Sequence, residues 1–132
     1  MSTKRPTVDA QSDARPLFTG FPSGVVPYVA ILAALVSASI HLWLAPMIVG
    51  FDRTRAVLFV LAGLGFLCGI AVYLSRYWRR EFYLVAAAFA LAQIAAFFVV
   101  SGRLDELAIL SKSAETVFAV AATYLYVTDD SP

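Results

Sequence analysis

Residues 82–100 read FYLVAAAFALAQIAAFFVV, nineteen positions without a charged side chain. At a rise of 1.5 Å per residue this stretch forms a helix of about 30 Å, the thickness of the hydrocarbon core of a bilayer. Three further apolar runs of similar length occur in the chain, at 25–50, 56–74 and 107–127. The pattern predicts an all-α integral membrane protein, a four-helix bundle with antiparallel up-and-down topology.

The same runs define the domain organisation. We expect one membrane domain over residues 24–128, preceded by a flexible cytoplasmic tail at 1–23 and followed by a stub at 129–132. The tail contains prolines and charges of both signs without apolar periodicity, which is typical of a mobile segment. The helices are predicted at four positions: 25–50, 56–75, 82–101 and 107–127.

The composition excludes several functional classes. Hydrophobic residues make up 61% of the chain and charged residues 14%, whereas about a quarter of a globular domain is charged. The segments outside the apolar runs are too short for a soluble catalytic domain, and a net charge of +1 argues against a nucleic-acid partner. We expect a multi-pass protein of the cell membrane, with the lipid bilayer and either a homo-oligomer or a larger membrane complex as partners.

The basic residues predict the orientation. With the N-terminus inside, the cytoplasmic side carries six of them: Lys4, Arg5, Arg15, Arg76, Arg79 and Arg80. The other side then carries Arg53, Arg55 and Arg103, with Lys112 near that surface. Because cytoplasmic loops are enriched in Lys and Arg, this asymmetry favours both termini in the cytoplasm.

The segment SRYWRRE at 75–81 combines aromatic and basic side chains. This composition is typical of a loop at the lipid headgroups, so Arg76, Trp78, Arg79 and Arg80 are predicted to anchor the topology there. Contact of the arginines with anionic headgroups is the functional extension of this prediction.

Gly65 and Gly69 lie four residues apart in the second run. This small-xxx-small spacing predicts a close helix contact, although it also arises by chance in a glycine-rich span.

Three strongly ionisable side chains lie inside the apolar runs: His41, Lys112 and Glu115. In the predicted topology His41, Gln93 and Glu115 each lie about eight residues from the outer end of their helix, roughly 12 Å deep. Lys112 lies one turn above Glu115 on the same helical face. A carboxylate facing lipid costs several kcal/mol, so Glu115 is expected to face inward and to be paired or protonated. These four residues form a candidate intramembrane polar site.

Two interpretations of this site remain open. In the first it is a structural clamp, in which Lys112 pairs with Glu115 while His41 and Gln93 bond across helices. Such bonds contribute about 0.6 kcal/mol each and can determine helix register. In the second it is a functional pocket, in which the imidazole and the carboxyl group exchange protons near neutral pH.

The sequence predicts no cofactor and no metal. Bis-histidine haem ligation needs two histidines, and Met47, six residues from the single His41 on the same helix, cannot reach the opposite face of the ring. A haem shared between two copies stays open. His41 and Glu115 are too few ligands for zinc. The chain has neither a Gly-x-Ser-x-Gly elbow nor a glycine-rich phosphate loop, so we expect no enzyme.

Three stretches together carry a resemblance: HLWLAP at 41–46, the glycine-containing run at 58–69 and YWRR at 77–80. They resemble small four-helix membrane proteins of unknown function that are frequent in halophilic archaea, over residues 25–127. More remotely, the layout is similar to that of the DoxX-like family of four-helix membrane proteins. The resemblance implies topology and no activity.

These observations favour a structural or accessory membrane subunit. The first alternative is a small transporter or proton-linked channel subunit that uses the polar site; it requires an oligomer, since four short helices rarely enclose a pathway. The second alternative is a quinone- or haem-binding redox subunit.

Overall fold

The computed structural model describes residues 16–100 and 102–130. Lys4, Arg5 and Arg15, the basic residues of the predicted tail, lie outside the described residues. The same holds for the last two positions of the stub.

The described chain folds into four α-helices, which confirms the predicted all-α class. Their bounds are Val26–Ile48 for α1, Arg53–Tyr73 for α2, Phe82–Val100 for α3 and Glu106–Thr128 for α4. They begin and end within three residues of the predicted positions.

Local sequence explains several helix ends. The Asp52 carboxylate accepts a hydrogen bond from the Arg55 backbone N–H at 2.9 Å and caps α2. Asp105 caps α4 in the same way, accepting from the Ala108 N–H at 2.8 Å. α1 ends two residues beyond Pro46, which removes a backbone donor from the last turns.

The helices pack in the order α2, α1, α4, α3. α1 packs against both α2 and α4, and α4 also packs against α3. α2 and α3 follow one another in the chain but are not among the closely packed pairs. A cleft therefore remains between these two helices.

Small residues and one phenylalanine form the core. Ala34, Ala38 and Phe66 are almost completely buried. The Phe66 ring packs edge-to-face against Phe89 and Phe118, with centroid distances of 5.0 and 5.4 Å. Alanines at the interfaces let the backbones approach closely, as is common in membrane bundles.

The two glycines of the predicted contact have different surroundings. A Cβ built on Gly65 would lie 2.6 Å from Cζ of Phe89, so this position requires glycine or a shift of the ring. A Cβ on Gly69 would meet nothing within 4 Å. The predicted close contact is therefore wrong for Gly69, which borders the cleft instead.

Three helices, α1, α2 and α3, are long and apolar enough to cross a membrane. α4 has 23 residues, as α1 does, but it carries Lys112 and Glu115 and is not among these candidates. Within the described part of the chain, the prediction of four spanning helices is thus supported for three.

Residues 17–19 pair with the end of α2. The Thr19 N–H donates to the Leu74 carbonyl at 3.0 Å, and the Arg76 N–H donates to the Leu17 carbonyl at 2.9 Å. This short antiparallel bridge ties the described end of the predicted tail to the α2–α3 connection.

Candidate functional site

Glu115, near the middle of α4, is fully buried and fully hydrogen-bonded. Its Oε2 accepts from Lys112 Nζ at 2.7 Å, an ion pair between residues three positions apart. Its Oε1 accepts from the hydroxyls of Ser37 at 3.0 Å and Ser111 at 3.3 Å. One cation and two hydroxyls offset the cost of burying the carboxylate.

His41, on α1, faces the same carboxylate. Its Nδ1 lies 2.8 Å from the backbone carbonyl oxygen of Ser37. A carbonyl oxygen only accepts, so the proton of the neutral imidazole is on Nδ1 and the lone pair on Nε2. Nε2 lies 3.7 Å from Oε1 of Glu115. Two acceptors thus face each other across a gap that a single proton would bridge.

Aromatic rings enclose the imidazole on the α2 side. Phe59 packs edge-on against the His41 ring with a centroid distance of 5.2 Å, and Phe66 lies 6.4 Å away. The imidazole is therefore only 5% exposed, and its polar neighbours are Ser37 on its own helix and Glu115 on α4.

Lys112 connects α4 to α3. Apart from Glu115, its Nζ lies 3.5 Å from the backbone carbonyl oxygen of Gln93 and 5.2 Å from the ring centroid of Phe97. The ammonium group is held between a carboxylate, a carbonyl and an aromatic face, which can stabilise a cation through its negative quadrupole.

The structure brings together three of the four predicted site residues through their side chains: His41, Lys112 and Glu115. Gln93 takes part through its backbone carbonyl, and its half-buried side chain lines the adjacent cavity. Within the described chain, the expected side-chain bond between His41 and Gln93 is absent.

Ser37 and Ser111 are the carboxylate ligands that sequence reasoning left unassigned. Both lie one turn from a residue of the cluster, Ser37 before His41 and Ser111 before Glu115. In the sequence, this i, i+4 spacing places each serine on the same helical face as a residue of the cluster, and it could have identified both serines as candidate partners.

A cavity of about 350 Å³ adjoins this cluster. It lies at the end of the bundle where α1 and α3 end and α2 and α4 begin. His41, Ser111 and Lys112 line its inner part, and apolar side chains from all four helices line its sides. Three charged residues not assigned to a site by sequence complete its lining: Arg55, Arg103 and Asp105.

The predicted headgroup anchor lies at the opposite end of the bundle. Arg80 Nε donates to the Tyr126 carbonyl at 2.9 Å, and its guanidinium carbon lies 4.5 Å from the centroid of the Tyr126 ring. Arg76 donates to the Tyr77 hydroxyl at 2.9 Å, and Arg79 is exposed. Arg80 therefore ties the α2–α3 connection to the last turn of α4.

Trp78 turns into the bundle from this connection. Its ring packs edge-on against Tyr73 and Tyr83, both at 4.9 Å between centroids, and against Phe82 at 5.6 Å. Its Nε1 is buried and has no hydrogen-bond partner among the residues described.

Among the described residues, no three His, Cys, Asp or Glu side chains lie close enough together to hold a metal ion.

The four helices define the class, an all-helical protein with three helices able to cross a membrane. The chain belongs to a family of unknown function, DUF7475, whose model matches residues 12–126. The predicted resemblance to a family of unknown function is thereby confirmed, while the occurrence in halophilic archaea and the DoxX-like layout stay predictions. Neither the curated proteins nor the solved structures include a significant match.

Proposed function

We propose that the chain is a multi-pass protein of the cell membrane, with all four helices crossing the bilayer and both termini in the cytoplasm. α4 is as long as α1, and the two charged side chains in its interior are largely buried: Glu115 is 0% exposed and Lys112 is 14% exposed. A membrane helix tolerates such groups when they face the bundle interior and pair. The distribution of basic residues supports the orientation.

Within that membrane setting, we propose that the protein binds a small anion together with a proton, as a subunit of a transporter or channel. The single observation that carries this proposal is the pair of facing acceptors, His41 Nε2 and Glu115 Oε1, beside a cavity of about 350 Å³. The pair can take up one proton, and the cavity can hold a small solute next to it.

Charge balance couples the two binding events. With His41 neutral, the charges of Lys112 and Glu115 cancel. One added proton leaves the buried cluster with an excess positive charge, which is costly in a low-dielectric interior. An anion in the adjacent cavity offsets that charge, so protonation favours anion binding and anion binding favours protonation.

Proton uptake also supplies the cation that the anion needs. A protonated His41 donates from Nε2 to Oε1 of Glu115, while Lys112 pairs with Oε2. Lys112 already lines the cavity, where Arg55, Arg103 and one carboxylate, that of Asp105, also lie. Because His41 also lines the cavity, its protonation adds a positive charge beside the bound anion.

A structural or accessory role is the second candidate. The cluster joins α1 to α4 through Ser37 and Glu115, and α3 to α4 through Gln93 and Lys112. These bonds stabilise helix pairs that pack in the bundle. A clamp, however, needs no cavity beside it, and for this reason we place the binding function first. The quinone- or haem-binding alternative stays a prediction.

A complete transport pathway would require a second copy or a larger complex. The cavity adjoins one end of the bundle, and Phe66 with Phe89 and Phe118 fills the core behind the cluster. An oligomer with such sites on several copies supplies the additional helices.

The test uses purified protein in proteoliposomes that contain a pH-sensitive dye. Inward gradients of nitrate, sulfate and inorganic phosphate are imposed in turn, and we expect at least one to acidify the lumen. His41→Gln should abolish this acidification, because glutamine keeps polarity but does not titrate. Thr123→Ala, a control on α4 whose hydroxyl bonds only within its own helix, should retain it.

Two results would overturn the proposal. One is the absence of anion-linked acidification for all three anions with folded protein. The other is full acidification by His41→Gln with a lowered thermal stability, which would leave the cluster as a structural clamp.

A further inference from the structure

A second cavity, of about 330 Å³, lies in the cleft between α2 and α3, toward the α2–α3 connection. Its lining is formed by apolar and aromatic side chains of all four helices together with Trp78. Phe66 borders it and also neighbours the His41 ring, so the aromatic cluster of the core separates it from the polar site. The two cavities are thus chemically different.

Protein atoms do not fill this cleft. Gly69 lines it, and a side-chain atom added there meets nothing within 4 Å. Lining atoms of an empty apolar void lose their dispersion contacts. In a membrane, the apolar groups next to α2 and α3 that can fill this cleft are the acyl chains of lipids.

One residue of the cleft carries a buried hydrogen-bond donor without an acceptor. Trp78 lines the cleft, and the buried Nε1–H of this residue has no partner in the described ranges. A buried indole N–H usually finds an acceptor. Because this nitrogen is itself buried, an occupant of the cleft contacts the indole ring of Trp78 and not its N–H.

Basic residues lie beside this donor. The connection that carries Trp78 holds three arginines against one glutamate, Glu81, and Arg80 fixes it against the end of α4. Arginines near a membrane surface attract anionic lipids. Arg76, Arg79 and Arg80 do not line the cleft but lie within two residues of Trp78, which does, so a lipid with its chain in the cleft has its headgroup near basic side chains.

We propose that this cleft binds one anionic phospholipid. One chain lies between α2 and α3 against the Trp78 ring, and the phosphate lies at the arginines of the connection. The site rests on the membrane setting proposed above and is independent of proton-linked anion binding, since the two cavities are separate.

Tryptophan fluorescence tests this site directly. The chain has two tryptophans, so Trp43→Phe leaves Trp78 as the only emitter. The variant is reconstituted in phosphatidylcholine vesicles with increasing fractions of chain-brominated phosphatidylglycerol or chain-brominated phosphatidylcholine. Quenching by the anionic lipid should reach half its maximum at about a fivefold lower mole fraction, the preference expected from one arginine near an anionic headgroup.

A matched pair of variants on α2 locates the effect. Gly69→Phe fills the cleft and should remove the preference, whereas Leu64→Phe, on the exposed face outside the cleft, should keep it. Ala86→Leu fills the cleft from α3 and serves as the second test if Gly69→Phe does not fold. Equal quenching by both lipids, or a preference unchanged by the filling variants, would overturn the proposal. Neither result bears on anion-linked acidification.

Discussion

His41 Nε2 lies 3.7 Å from Glu115 Oε1, while His41 Nδ1 is held 2.8 Å from the Ser37 carbonyl oxygen. The carbonyl determines which nitrogen carries the proton and thereby directs a lone pair at the carboxylate. Helix α1 contributes the imidazole and helix α4 the carboxylate of this pair. The distance between Nε2 and Oε1 is slightly too long for a hydrogen bond, but it is short enough that a proton on either atom would allow a hydrogen bond to form.

The tautomer of His41 is the most direct prediction. We expect the neutral ring to carry its proton on Nδ1, because the Ser37 carbonyl accepts it. The chain has a single histidine, so ring ¹⁵N shifts of histidine-labelled protein report this residue alone. A neutral ring protonated on Nε2 would contradict the geometry and remove the basis for proton sharing with Glu115.

Removal of the carboxylate charge should destabilise the fold. Glu115→Gln leaves Lys112 without its anion, and breaking a buried ion pair from one side costs up to about 3–5 kcal/mol. We expect a loss of stability at the lower end of this range, because Lys112 retains its contacts with the Gln93 carbonyl oxygen and the Phe97 ring. Thermal unfolding in detergent measures the effect. Adding Lys112→Met should recover part of the loss, and a double variant less stable than Glu115→Gln would refute the pairing.

The bond from Ser37 to Glu115 links α1 to α4. Ser37→Ala should lower the free energy of unfolding by about 1 kcal/mol, since the carboxylate keeps Ser111 and Lys112. A double-mutant cycle with Glu115→Gln should give a coupling near 0.6 kcal/mol, the average for interhelical bonds in membranes. The control is Thr116→Ala, whose exposed hydroxyl bonds only to its own helix. Zero coupling between Ser37 and Glu115 would show that the bond contributes nothing.

Two glycines of α2 should respond oppositely to alanine. Gly65→Ala places a methyl group 2.6 Å from the Phe89 ring and is expected to cost about 1–3 kcal/mol through overpacking. Gly69→Ala enters open space and is expected to be neutral or to stabilise by up to about 1 kcal/mol, because alanine is the better helix former. Thermal unfolding of the two variants in one detergent compares them. Equal losses of stability in the two variants would contradict the open space found beside Gly69.

Orientation can be tested with single cysteines. Cys68 is the only native one, so Cys68→Ser provides the background. Leu104→Cys, exposed on the α3–α4 connection, should react with a membrane-impermeant maleimide in intact cells. Arg79→Cys should react only after permeabilisation. The reverse pattern would invert the proposed orientation, and reaction at both sites in intact cells would exclude a spanning arrangement.

The sequence by itself determined the number and approximate bounds of the helices. Apolar runs near 20 residues, separated by short polar connections, permit little else at the scale of a bilayer. It also indicated the candidate site residues, because His41, Lys112 and Glu115 stand out against an apolar background. The cost of exposing a carboxylate to hydrocarbon was enough to predict that Glu115 faces inward and is either paired or protonated.

Only the tertiary structure decided which groups meet. In helices that are apolar on every side, hydrophobic periodicity does not distinguish the face toward a neighbour from the face toward lipid. The rotation of α3 therefore could not be predicted, and Gln93 contributes its carbonyl where its amide was expected. The cleft beside Gly69 has the same origin, since close packing of α2 against α3 depends on side-chain shapes at their interface and not on the apolar character that both helices share.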